Sequence, residues 1–131
     1  MTLSREQART AVVTIRGGFA AGTWLAPTLS GALFGISRKE NPAGPYLGRL
    51  FGVREAALAV EVLLAAEAAR PAILRRHAAV DLADALAGYL AGRQGYLKPR
   101  AAILATAAAL GTAGLGLWAS APDGALNPAA R

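Results

Sequence analysis

No cysteine occurs anywhere in the 131 residues, which excludes disulfides and thiolate metal centres and leaves the redox compartment unmarked. A single histidine makes a transition-metal site equally unsupported, and no metal or cofactor is expected. Basic runs interleaved with aromatics are missing too, so the net charge of +6, carried mostly by arginine, points to lipid-facing loops and not to nucleic acid. Charge as a whole is scarce at 17% of residues, and two long stretches have none. These are "GGFAAGTWLAPTLSGALFGIS" over 17–37 and "AAILATAAALGTAGLGLWASAP" over 101–122.

Each of those runs, wound as a helix, is long enough to cross roughly 30 Å of hydrocarbon. With 54% hydrophobic residues, the composition implies a multi-pass protein of the cell membrane. The soluble alternative, an Ala-rich bundle, would have to wrap two charge-free helices in a polar shell that the rest of the chain does not supply. A cleaved signal peptide fits poorly as well. The apolar run after "MTLSREQAR" is longer than a signal core and lacks a clean small-residue cleavage site, so the first helix is expected to stay.

Hydrophobic patterning and turn residues predict an all-α four-helix transmembrane bundle with helices over 8–34, 47–69, 72–92 and 100–119, and a short polar tail over 123–131. Pro27 is expected to bend the first helix, because its ring and missing N–H break the hydrogen-bond ladder. The link around Arg70 and Pro71 is so short that the second and third helices form an antiparallel hairpin. Lys and Arg do not decide the orientation. Arg5, Arg9, Arg70, Arg75, Arg76 and Arg131 fall on one side; Arg38, Lys39, Arg49, Arg93, Lys98 and Arg100 fall on the other. Glycines spaced by four, among them Gly48 with Gly52 and Gly88 with Gly92, suit close helix packing within the protomer.

The charges that remain inside the apolar chain sit mainly on the second and third helices. Arg49, Arg54, Glu55, Glu61 and Glu67 lie on one, and His77, Asp81 and Asp84 on the other. An Asp or Arg at a helix centre costs roughly 2.5 to 3.5 kcal/mol on insertion scales, so these groups must turn inward and meet. In the stretch "HAAVDLADALAG", steps of four and three residues put His77, Asp81 and Asp84 on one face. With a turn at Arg70 and Pro71, equal distances from the turn place Glu61 level with Asp81, Glu67 close to Arg75, and Arg54 within reach of Asp84.

Glu67 with Arg75 is then an interfacial ion pair, and Arg54 with Asp84 a buried one. Glu61 and Asp81, two like charges in a low-dielectric site, are expected to share one proton, with His77 a turn away as a relay. Glu61, Asp81, Asp84 and His77 are thus the acid/base residues, and Arg54, Glu55 and Arg49 the anchors for a ligand's polar group. "DLAD" also matches half of an Asp-rich magnesium–diphosphate motif, but the second cluster such a site needs is missing.

The segment "GRLFGVREAALAVEVLLA" over 48–65, through Arg49, Leu50, Phe51, Gly52, Arg54 and Glu55, resembles the Arg-Leu-Phe-Gly-x-Arg-acidic stretch of a family of small four-helix membrane proteins from high-GC bacteria. Glu55 stands where that family has Asp. The resemblance implies the fold and the membrane location and no activity.

Three functions suit this pattern: a buried Arg/carboxylate/His pocket between the second and third helices that binds, or acts by acid/base chemistry on, a lipophilic molecule such as a lipid or isoprenoid; a structural or accessory subunit of a larger membrane complex; and a proton-coupled transporter or channel. Membrane lipid, the lipophilic molecule, and a homo-oligomer or larger complex are the partners they imply.

Overall fold

Ser4 starts the first helix by a reciprocal cap. Its hydroxyl accepts from the Gln7 backbone N–H at 3.1 Å, and the Gln7 side chain accepts from the Ser4 N–H at 2.9 Å. The computed structural model describes residues 3–122, so the polar tail expected over 123–131, and Arg131 with it, lie outside the described residues. Among the described residues there are five α-helices and no strand: α1 (Arg5–Leu25), α2 (Pro27–Leu33), α3 (Gly44–Leu64), α4 (Arg70–Arg93) and α5 (Pro99–Ser120). One of them, α5, is long and apolar enough on its own to cross a membrane.

The first expected helix is therefore two. Pro27 does more than bend it: Ala26 leaves the helical region (φ −133°, ψ 59°), and α2 restarts with proline in its first turn. The expected second helix ends early, at Leu64. Ala65 and Ala66 are extended, and a 3₁₀ turn over Glu67–Ala69 leads into α4, whose first turn holds Pro71. The third and fourth helices match expectation to within two residues. At the α4–α5 turn, Gly95 takes φ +77°, where a side chain would be strained.

The long helices run alternately up and down. At the end where α1 begins, Ala8 and Val12 meet Val62, Ile73, Leu74 and Ala119 in one apolar cluster, closed by Trp118, whose ring N–H donates to the Leu3 carbonyl at 3.0 Å. The backbones approach most closely between α4 and α5 and between α1 and α3. The expected α3–α4 hairpin is antiparallel but loose: those two backbones seldom come close, and long side chains bridge them.

Glycine makes the close pairs. A Cβ on Gly52 would lie 2.5 Å from the Thr23 hydroxyl and 3.1 Å from the Ala20 carbonyl, and one on Gly92 would lie 2.5 Å from the Ala102 Cβ. The four-residue spacing thus serves packing within the protomer at both interfaces. Gly92→Ala should lower stability by about 1 to 3 kcal/mol through overpacking, read as a fall in the thermal midpoint. Gly114→Ala, with open space at its Cβ, is the control that should not.

Size and exposure are inverted relative to an ordinary water-soluble core. The buried positions are mostly alanine, with Val12, Val62, Ile73, Leu74 and several polar groups. The large side chains face out on every long helix: Leu25 is 79% exposed and Leu64 81%, and Leu50, Leu63, Leu86, Ile103 and Leu110 are exposed too. Trp24, Tyr46, Tyr89 and Tyr96 lie outside this belt's apolar middle, all toward the end away from the N-terminus.

Candidate functional site

Arg16, midway along α1, is the centre of the charged layer. It is 1% exposed, and its guanidinium donates to Glu55 on α3 at 2.8 Å and to Asp81 on α4 at 2.7 Å. Arg54 extends the layer. It donates to both oxygens of Asp84, one at 2.9 Å, and to the second oxygen of Glu55 at 3.1 Å, while its guanidinium lies 4.9 Å from the Phe51 ring centre. Five ionic side chains from three helices thus interlock at mid-depth. Charge-assisted, partly bidentate bonds of this kind fix how helices register even where they add little net stability.

The structure keeps one of the expected pairs and replaces the others. Arg54 with Asp84 forms as the sequence suggested, but both side chains are about one-third exposed, 36% and 34%. A double-mutant cycle on Arg54→Ala and Asp84→Ala should therefore give a coupling of about 1 kcal/mol, between the values for surface and fully buried pairs.

Glu61 does not face Asp81. It accepts from Arg76 and hydrogen-bonds His77 Nε2 at 2.7 Å, and its side chain is 41% exposed. The shared-proton dyad expected of Glu61 and Asp81 is thus absent, and Glu55 is the carboxylate that Arg16 ties to Asp81. His77, 2% exposed, serves Glu61 instead of relaying to Asp81, and its Nδ1 has no partner among the described residues. The cause is register. Because α3 stops at Leu64, the pairing of Arg54 with Asp84 and Glu61 with His77 lies about three residues short of that drawn from a turn at Pro71, and less than one helical turn re-aims every side chain.

Glu67 likewise makes no pair with Arg75, which reaches the Ser120 carbonyl at 3.5 Å. Arg49, expected as a ligand anchor, donates through Nε to the Trp24 carbonyl at 3.3 Å, at the end of α1. The "DLAD" carboxylates are also committed, Asp84 through both oxygens to Arg54 and Asp81 through one to Arg16. That leaves little of the half-motif for a magnesium ion.

Above the ionic layer, toward the α2–α3 loop, lies a cavity of about 420 Å³. Its size is in the range of small-molecule sites. Its walls are mostly apolar: Phe19, whose ring centre lies 6.0 Å from those of Phe34 and Phe51, and Ala105, Ala108 and Ala109 of α5, with Arg38 and Asn41 of the loop between α2 and α3 also in the lining. Its floor is Glu55, Asp81 and Asp84, with Thr112 beside them. Arg16 and Arg54 hold those carboxylates from behind and do not line the cavity.

The residue that sequence reasoning missed is Arg16. The signal was present, since an arginine inside an otherwise charge-poor helix needs a buried acid as much as Arg54 does. Arg16 falls inside the first helix expected over 8–34, but the expected pairs join only the second and third helices; the helix observed, Arg5–Leu25, carries it at the centre. Neither a protein-family model, nor a curated protein, nor a solved structure matches this chain.

Proposed function

We propose that the protein is a multi-pass integral membrane protein in which α1, α3, α4 and α5 cross the bilayer as a bundle, and that its cavity binds a lipophilic small molecule such as a lipid or isoprenoid. The inverted distribution of side chains carries the location. Leucines ring the outside, and alanines, glycines and ion pairs fill the inside. In water that belt would be an apolar patch far beyond what a monomer tolerates. In lipid it is the required surface, and small residues inside are what close helix packing there uses. Among the described residues only α5 is apolar enough to span alone; α1, α3 and α4 cross because Arg16, Glu55 and Asp81 are buried against one another and His77 against Glu61. The resemblance of the segment over 48–65 to small four-helix membrane proteins agrees with this location.

The cavity supports the binding role. It joins aromatic and alanine walls to a charged floor, which suits an amphipathic molecule lying tail-out toward the loop end with its polar group against α3 and α4. Protein purified in mild detergent should carry a co-purified lipophilic molecule, detected by native mass spectrometry and identified after extraction. Ala108→Phe fills the cavity without touching the ionic layer and should remove at least nine-tenths of that molecule, by the estimate of about 1.4 kcal/mol per tenfold loss of affinity. Wild type and variant alike emerging without bound material would overturn the binding role.

A further inference from the structure

The floor of the cavity has a defined deficit. Glu55 accepts from Arg16 through one oxygen and from Arg54 through the other; Asp84 accepts from Arg54 through both. Asp81 accepts from Arg16 through Oδ2 alone, and its Oδ1 receives no hydrogen bond among the described residues. Asp81 is 3% exposed and lines the cavity, so what is open of that oxygen faces the cavity. At the floor two guanidiniums stand against three carboxylates, while Arg38, which also lines the cavity, belongs to the loop between α2 and α3. A carboxylate oxygen without a donor and a carboxylate in excess of its counter-ions are both relieved by one cationic donor.

Resting on the binding role proposed above, we propose that the ligand is a cationic amphiphile. It is an alkyl- or isoprenyl-type chain ending in a protonated primary or secondary amine that donates an N–H to Asp81 Oδ1. The ammonium supplies the one positive charge and the one donor the floor lacks. A neutral hydroxyl would satisfy the oxygen and leave the charge; a carboxylate or phosphate would add a further negative charge at low dielectric, where like charges repel most. The walls suit the rest of the molecule. Phe19 and Phe51, near the floor, present ring surfaces that favour a cation's approach, and Phe34 with Ala105 and Ala108 accommodates the chain.

The test uses the full chain in nanodiscs of neutral lipid at neutral pH. Saturable binding of dodecylamine, dodecanol and dodecanoate, three probes with one tail and different heads, is measured by equilibrium dialysis. Dodecylamine should bind about tenfold or more tightly than dodecanol, the equivalent of about 1.4 kcal/mol, and dodecanoate should bind most weakly. Asp81→Asn keeps a shape that Arg16 can still bond and should bring the ratio of amine to alcohol affinity down to about one. The comparison of probes in the unaltered protein does not depend on that variant folding. Equal binding of amine and alcohol would overturn the cationic head and leave the lipophilic cavity standing; saturable binding of none of the three would overturn the cavity's binding role as well.

Discussion

Arg16→Met should destabilise the protein more than any other single change in the bundle. The substitution fits the space and removes the donor on which Glu55 and Asp81 both depend. Breaking a buried ion pair from one side costs about 3 to 5 kcal/mol, because the remaining charge is stranded. Here Asp81 is stranded at 3% exposure, and Glu55, at 2%, is left with Arg54 alone. That is a large part of the roughly 5 to 15 kcal/mol that typically separates folded from unfolded states. The expected result is a sharp drop in the monodisperse fraction and thermal midpoint in detergent. Adding Glu55→Gln and Asp81→Asn should recover part of the loss, since neutral groups need no counter-ion. Arg16→Lys should fall between, keeping the charge but losing the planar fork that reaches two helices at once. An Arg16→Met variant within about 1 kcal/mol of wild type would show that the interlocked layer is not what holds α1 against α3 and α4.

The second large effect concerns the outer belt. Leu110 sits at the middle of α5 and is 50% exposed. On the surface of a protein in water, Leu110→Arg would change stability by about 0.5 kcal/mol or less. At the centre of a spanning helix the same change costs roughly 2.5 to 3.5 kcal/mol of insertion free energy. Wild-type protein should stay with the membrane pellet through alkaline carbonate washing, and Leu110→Arg should shift a large share to the supernatant or to degradation. A wild type that is released by carbonate, or purified as a monomer without detergent, would refute the multi-pass proposal.

Several features were legible in the sequence because they depend on local chemistry. Pro71 and Pro99 mark helix boundaries through a missing donor, and the structure starts α4 and α5 at or next to them, whereas Pro27, read as a bend, separates two helices. The Gly-rich spacing on the second and third helices reports close backbone contact, and the lack of room for a Cβ at Gly52 and Gly92 bears it out. Arg54 found Asp84 because a long side chain tolerates an error of register. The short carboxylates did not. Nothing in "LLAAEAARP" tells a chain of strong helix formers to stop at Leu64, so the end of α3 is set by tertiary packing and not by propensity. Once that end moved, Glu61 met His77, and Asp81 was left to Arg16. A polar pocket between the second and third helices was expected, but its lining by α1, α2 and α5 was not legible, because helical periodicity says which face is apolar but not how close its neighbour comes.

The bond from Arg16 to Asp81 joins residues 65 apart in the chain, and that from Arg16 to Glu55 spans 39. Proteins are made at about 5 to 20 residues per second, so Asp81 emerges about 3 to 13 s after Arg16. In the proposed membrane arrangement, a helix bound for the bilayer carries an arginine with neither of its acids until Glu55 is made, about 2 to 8 s after it, and with only one of them until Asp81 follows. The first helix is then a late arrival in its own membrane. It must wait in the insertion channel or at the headgroup surface until α3 and α4 have been made, so the order of synthesis and the order of assembly are opposite.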